Sequence, residues 1–386
     1  MKILAIETSC DETAVVVLEG EGDIKKASFK ILGNALLSQA DLHAPFGGVY
    51  PNLAKREHQT NLVPLTAQAL TDAGLYETEE GITPSQEEAL SDVRDVAFKT
   101  SIRDFIYATK APEVDMIAVT HGPGLEPALW TGINFAVALG KAWNIPVMGI
   151  DHMEGHIVSA LLEPDGKNFT LRAPKLPLLA LLISGGHTEF VAMDEWFVYE
   201  RIGETKDDAV GEAFDKVARL LNLAYPGGPQ VAALAARSRI RGKNEIIFPR
   251  PMATDATCDF SFSGLKTAVM YKLQKMDKIG EEDKEHIAHA FEDAVRDVLI
   301  IKTRRALASR DIGSFVIGGG VSANDIIRRG LVDLVQNEFT DIEVHLPDKS
   351  LTGDNAIMIA AAAYLRASSG KKPHAPIFAS GSLRLS

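Results

Sequence analysis

The sequence predicts an α/β fold of two halves with a ligand cleft between them, and three observations lead there. Strand-like apolar runs alternate with helical patterns along the whole chain. Two hairpin-like segments, Ile3 to Thr13 and Leu182 to Phe190, each open one half, as expected of a duplicated nucleotide-binding architecture. Finally, His152-Met153-Glu154-Gly155-His156 follows an apolar strand pattern, and α/β folds place their chemistry at the carboxyl ends of strands.

In the first half, runs at 3–7, 14–18, 116–120 and 147–150 read as strands, and 52–73 and 129–143 as helices. The second half starts near Asp151, with strands at 178–184, 188–193, 314–317 and 343–346 and helices at 207–221, 284–309 and 323–335. The last helix, 354–368, carries the chain back toward the first half. The expected domains are therefore 1–150 completed by 365–386, and 151–364.

The 386 residues, 46% hydrophobic, suffice for two substantial cores. Cys10 and Cys258 are the only cysteines, too few for a disulfide framework, which points to a reducing compartment. The amino terminus lacks the pattern of a signal peptide, and no apolar run reaches membrane-spanning length. A cytoplasmic protein without a membrane partner is the expectation. The net charge of -12 disfavours a broad nucleic-acid surface. The densest basic stretch is Arg237, Arg239, Arg241, Lys243 and Arg250, within fourteen residues, which is either an RNA contact or a solvated helix end.

Two imidazoles four residues apart on a helix project from one face and can bind one metal ion. In a zinc-protease helix the glutamate directly follows the first histidine and stays beside the metal. Glu154 sits two residues on, roughly 200° around the helix, and points away. A metal site is expected and a protease is not. For an isolated pair of histidines, capping or packing would be the simpler reading. In Leu182-Ile183-Ser184-Gly185-Gly186 the glycines expose backbone N–H groups that phosphate oxygens can approach. Cys10, among Glu7, Asp11 and Glu12, has no reason to form a thiolate and reads as packing.

These segments, with Gly122-Pro-Gly-Leu125, Asp207 to Lys216, Tyr225 to Pro229, Phe260 to Thr267, Gly318 to Asn324 and Asp354-Asn355, closely resemble the tRNA N6-adenosine threonylcarbamoyltransferase family in its bacterial and organellar branch. The resemblance implies the actin, Hsp70 and sugar-kinase type of fold, a duplicated ribonuclease H-like design. It implies transfer of a threonylcarbamoyl group from threonylcarbamoyl-AMP to N6 of the adenosine 3′ to the anticodon, in tRNAs reading codons that begin with A. One divalent ion per subunit, Fe2+ or Zn2+, is implied on His152, His156 and Asp354. Leu182, Ile183, Ser184, Gly185, Gly186, Asp215, Gly228 and Asn324 match substrate-binding positions. Asp11 and Glu12 are candidates for orienting the incoming amine, or simple turn carboxylates. Partners implied are tRNA, an inactive paralogous subunit and a small P-loop ATPase.

The chain departs from the family pattern in places. Gly353 and Ala356 flank the third ligand in Thr352-Gly-Asp-Asn-Ala-Ile-Met, and without the resemblance Asp354 would most simply be a helix N-cap. Glu126, Pro127 and Trp130 are bulkier than usual. Residues 76–110 read as an insertion, with eight acidic and four basic residues. Thr83-Pro84-Ser85-Gln86 reads as its capping box, and Leu90, Val93, Ala97, Ile102, Phe105 and Ile106 as its apolar stripe. That makes it an acidic surface helix that shields the first domain or meets a partner. Leu36, Leu37, Leu53, Leu62 and Leu65 offer a second candidate partner face, or an ordinary core. Two other activities fit less well. A small-molecule kinase of this fold holds Mg2+ through phosphates and needs no paired histidines; a noncatalytic subunit would not keep His152, His156 and Asp354.

Overall fold

The computed structural model describes residues 1–78, 87–242, 244–373 and 376–385. The expected capping box at Thr83 to Gln86 and Lys243 lie outside the described residues. Two compact units emerge, one of Met1–Ala40, Val49–Ala173 and Gly353–Arg384, the other chiefly of Asp41–Gly48 and Pro174–Thr352.

The first unit opens with β1 (Lys2–Glu7), β2 (Glu12–Asp23) and β3 (Lys26–Ser38), an antiparallel meander. Helices α1 (Pro51–Asp72) and α2 (Val96–Ala108) follow, then β4 (Met116–Gly122), α3 (Glu126–Trp143), β5 (Val147–Asp151) and α4 (His152–Ala160). Strands β4 and β5 add parallel to β1, so helix α3 is the crossover such a connection requires. The hairpin β6 (Leu162–Asp165) and β7 (Asn168–Leu171) extends the far edge, giving the order β5-β4-β1-β2-β3-β7-β6.

The second unit repeats this plan. Strands β8 (Leu178–Ile183), β9 (Thr188–Glu195) and β10 (Val198–Glu204) form the meander, and helices α5 (Val210–Leu220), α6 (Gly227–Arg241), α7 (Ser263–Gln274) and α8 (Glu281–Ala308) lead to β11 (Ser314–Gly318). Helix α9 (Asp325–Glu338) then leads to β12 (Glu343–His345). The order β10-β9-β8-β11-β12 has the same antiparallel and parallel pairings as β3-β2-β1-β4-β5. The predicted duplication is thus present in the topology. Strands β1 and β8 are buried on both faces, which is why each reads as an unbroken apolar run.

The domain boundaries differ from those expected. Ser28 and Phe29 of β3 pair with Thr170 and Phe169 of β7, so the chain stays in the first sheet until Ala173 rather than leaving at residue 150. The last helix, α10 (Ala356–Ser368), is buried from Ala356 to Leu365 and packs on β1, β2 and α4. Its alanine run favours the helix and permits that close approach. The whole helix, with α4 and Asp354, belongs to the first unit.

The segment 76–110 is also more than a surface cover. Helix α2 is capped by Asp95, whose side chain accepts from Phe98 N–H at 2.9 Å. Phe98 faces Phe135, and Phe105 meets Trp143 edge to face with centroids 5.9 Å apart. Ala97 is exposed and Phe98 takes its place in the stripe, because the helix begins at Val96 and sets its own phase. Leu90, Val93, Ile102, Phe105 and Ile106 are buried as expected. Phe98→Ala should therefore destabilise the protein by about 3–5 kcal/mol, measured by urea unfolding. A change within experimental error would contradict the packing of α2 into this core.

Candidate functional site

Strand β5 ends at Asp151, whose carboxylate accepts from Met153 N–H (2.8 Å) and Glu154 N–H (3.2 Å) and so caps α4. His152 and His156 then stand one turn apart, ring centroids 4.7 Å apart and nearly perpendicular. Asp354 arrives from the chain before α10. Its Oδ1 lies 3.3 Å from the Nε2 atoms of both histidines. Asp354 does not cap the helix, because Asn355 does, accepting from Met358 N–H at 3.0 Å. The flanking departures Gly353 and Ala356 therefore leave the third ligand in register.

The donor set suits a divalent cation. His156 is fully buried; its Nε2 faces the Asp354 carboxylate at 3.3 Å without ideal hydrogen-bond geometry, and its Nδ1 makes no hydrogen bond among the described residues. A buried imidazole with poorly satisfied nitrogens is costly. Two imidazoles and one carboxylate, all ligand atoms within 4.8 Å of one another, are a borderline-metal site open to further ligands.

A second layer fixes the first ring. Glu7, at the end of β1, lies 3.1 Å from His152 Nδ1, and Ser9 Oγ lies 3.2 Å from the same atom. Glu7 in turn accepts from Thr120 Oγ1 at 2.6 Å and Ser9 N–H at 2.5 Å. With Nδ1 engaged, Nε2 is turned toward Asp354. Burial raises the Glu7 carboxyl, yet the His152 charge and hydrogen bond hold it below its ordinary value. Asp354 is likewise pushed up by burial and pulled well below the carboxylate range by His152 and His156. Burial lowers His152, but Asp354 and Glu7 outweigh it and raise the ring well above its usual value. Burial lowers His156. Glu12 is pushed up to about 9, by burial first and then by Asp354 and Asp11. Cys10 is raised by burial, Asp11 and Asp354, in keeping with an inert thiol.

Glu154 points away from the histidines, as its spacing predicts. It is not idle, however: Arg366 of α10 holds both its oxygens at 2.5 Å, and the carboxylate is fully buried. Between the two histidines, a Cβ on Gly155 would come to 3.0 Å from Met358 Cγ and 3.1 Å from Ile359 Cδ1, so any larger residue there would have to push these α10 side chains aside.

In the second unit, Leu182 and Ile183 are core residues of β8, paired to β9 and, at Leu182, to β11. Both side chains are fully buried. Ser184 closes the hairpin with His187 and accepts from Gly211 N–H through its carbonyl. Gly185 and Gly186 are exposed, with open space where a Cβ would be. Thr188 Oγ1 accepts from Val210 N–H (2.8 Å), seating the hairpin on the amino end of α5. Gly319 (φ +89°) lies against the Ile183 carbonyl, where a Cβ would sit 2.5 Å from its oxygen. Asp215 accepts from Gly227 N–H at 2.7 Å, beside the open Gly228. Asn324 caps α9 and gives its amide to Glu292 at 2.6 Å. The Ser184–Gly186 turn, the amino end of α5 and Gly319 thus meet at one end of the β8–β11 sheet.

The described arginines of the basic cluster face acids, with Arg237 and Arg241 still more than half exposed. Arg237 and Arg241 pair with Glu285 of α8, Arg239 with Glu292 and Asp293, and Arg250 with Asp297 at 2.6 Å. Sequence proximity of like charges said nothing of the acids on a neighbouring helix. Among the five leucines of the candidate partner face, Leu62 is fully buried, whereas Leu36 and Leu37 are exposed at 47% and 40%. Glu7, Ser9, Thr120 and Arg366 went unassigned in sequence, since no spacing ties them to the histidines. No helix among the described residues is long and apolar enough to cross a membrane.

HypF from T. kodakarensis is 11% identical, with a TM-score of 0.52 over 95% of this chain and 47% of that one. The activator of the 2-hydroxyisocaproyl-CoA dehydratase from Clostridium difficile is 12% identical, covering 97% and 99%, with a TM-score of 0.45. The ROK hexokinase from Thermus thermophilus is 12% identical over 96% and 100%, also at 0.45. With the repeated sheet topology, the HypF likeness defines an actin-like α/β protein and speaks to fold alone. The sequence model of TsaD, tRNA N6-adenosine threonylcarbamoyltransferase, matches residues 30–81 and 97–361. The chain belongs to that family of tRNA-modifying transferases. The unmatched interval, 82–96, is narrower than the 76–110 segment expected as an insertion, and α2 falls almost wholly outside it.

Two substitutions separate the two layers of the site. Glu7→Gln should weaken metal affinity by about 10- to 100-fold, read by competition with a chelator, with little change in unfolding midpoint. Glu154→Gln should do the reverse, costing about 1–3 kcal/mol of stability by leaving Arg366 half-paired and sparing metal content. Equal effects on both readouts would mean that the two carboxylates do not have separate roles.

Proposed function

We propose that the protein transfers the threonylcarbamoyl group of threonylcarbamoyl-AMP to N6 of the adenosine 3′ to the anticodon, in tRNAs reading codons that begin with A. The observation that carries this is the buried His152, His156 and Asp354 cluster on a chain of this family. The new C–N bond replaces the carbonyl–phosphate bond, AMP leaves, and N6 gives up one proton. AMP is already a good leaving group, so the demand on the protein is alignment and stabilisation of the oxyanion.

When bound at His152, His156 and Asp354, a divalent ion, Fe2+ or Zn2+, supplies carbonyl polarisation and neutralises phosphate charge. The chain's own residues do the remainder. Gly185 and Gly186 offer N–H groups to phosphate or carbamoyl oxygens, Asp215 and Gly228 take the ribose side, and Asn324 borders the adenine. Asp11 and Glu12, beside Asp354, are the candidates for orienting the incoming amine.

The protein works with partners, in this reading an inactive paralogous subunit and a small P-loop ATPase. The net charge of -12 and the internal neutralisation of Arg237, Arg239, Arg241 and Arg250 support that dependence. Cells depleted of the protein should lose N6-threonylcarbamoyladenosine from their tRNA while still forming threonylcarbamoyl-AMP, as mass analysis of nucleosides would reveal. Unchanged modification in a strain with no second homologue would refute the assignment.

A further inference from the structure

The segment Ser9–Glu12, between β1 and β2, carries the Ser9 hydroxyl that touches His152 and the two carboxylates proposed to handle the amine. Three successive carbonyls of this segment have fixed donors. Leu125 N–H reaches Ser9 O at 2.7 Å and Gln39 N–H reaches Asp11 O at 2.9 Å. The middle carbonyl, Cys10 O, is reached by a side chain: His58 Nε2 of α1, at 3.0 Å.

His58 is fully buried. A carbonyl only accepts, so Nε2 carries the ring proton. Nδ1 then accepts from Thr13 Oγ1 at 2.7 Å, and the Gln39 amide nitrogen lies 3.4 Å from the same atom. The ring is thereby locked in one tautomer, spanning from Cys10 to the first residues of β2. Asp11 and Glu12 lie between those two anchors.

We infer that His58 is a positioning residue for the transfer reaction: its Nε2–H clamps the Cys10 carbonyl and sets the place of Asp11 and Glu12. This rests on the transferase reading given above. The hydrogen bonds given above for His58 go to Cys10, Thr13 and Gln39, none of them a proposed metal ligand. Loss of the clamp should therefore act on turnover and spare both metal binding and the apparent affinity for that substrate.

The side-chain nitrogen of glutamine can reach where Nε2 stands, whereas asparagine reaches only the Nδ1 position. Transfer to tRNA would be followed with the full chain and the partners that copurify with it, across a range of threonylcarbamoyl-AMP concentrations. His58→Leu and His58→Asn should each lower kcat by about 100-fold, the cost of a misplaced reacting geometry, with KM for threonylcarbamoyl-AMP and metal content unchanged. His58→Gln should recover most of the loss. Asparagine rescuing as well as glutamine, or metal content and KM falling in step with kcat, would overturn the inference. Nitrogen NMR of the histidine-labelled wild-type protein gives an arm that needs neither folding of a variant nor transfer activity. It should report His58 as the Nε2–H tautomer, and an Nδ1–H ring would overturn the clamp. If the wild-type chain made no modified adenosine, the transferase reading would fail, and the positioning role with it.

Discussion

The contact between α4 and α10 is what the candidate centre depends on. One helix carries His152 and His156, and the other fixes the chain that delivers Asp354. Gly155 lets the two helices close, and Glu154 binds Arg366 on the side away from the histidines. A buried pair of this kind adds little net stability over an apolar pair, but it tolerates few alternative arrangements. Ligands separated by some two hundred residues of sequence are thus held by packing within one compact unit.

Around that contact, charge is balanced locally. Glu7 and Asp354 share His152, and each carboxyl is held below its usual value despite burial. His156 shares the same Asp354 oxygen through Nε2 at 3.3 Å, while its Nδ1 makes no hydrogen bond among the described residues. Elsewhere charge is balanced in the same local way. The arginines at 237, 239, 241 and 250 spend their charge on α8, tying α6 and the following loop to the core of the second unit.

Much of this was legible in the sequence because it follows from short-range rules. The apolar runs of β1, β4, β8 and β11 announce buried strands, and the spacing from His152 to His156 announces a shared helix face. The polar alternation of Lys26 to Ser38 hid β3, whose buried residues Ala27, Phe29 and Ala35 are interleaved with exposed ones. The domain boundary was missed because β6 and β7 join the first sheet through pairing with a strand well over a hundred residues earlier. For the same reason the partners of Glu154 and His58 could not be read: each is a single contact across unrelated elements, with no periodicity to betray it. Leu182 and Ile183 match a binding motif and are also fully buried, since a motif marks a segment and burial decides which of its atoms remain accessible.

The central claim, that His152, His156 and Asp354 form one metal centre, is tested most directly by X-ray absorption at the edge of the metal bound to the purified chain. The account predicts two imidazole nitrogens together with oxygen donors and no sulfur, reduced to one imidazole in His156→Ala. A sulfur ligand, or a spectrum that His156→Ala leaves unchanged, would contradict it.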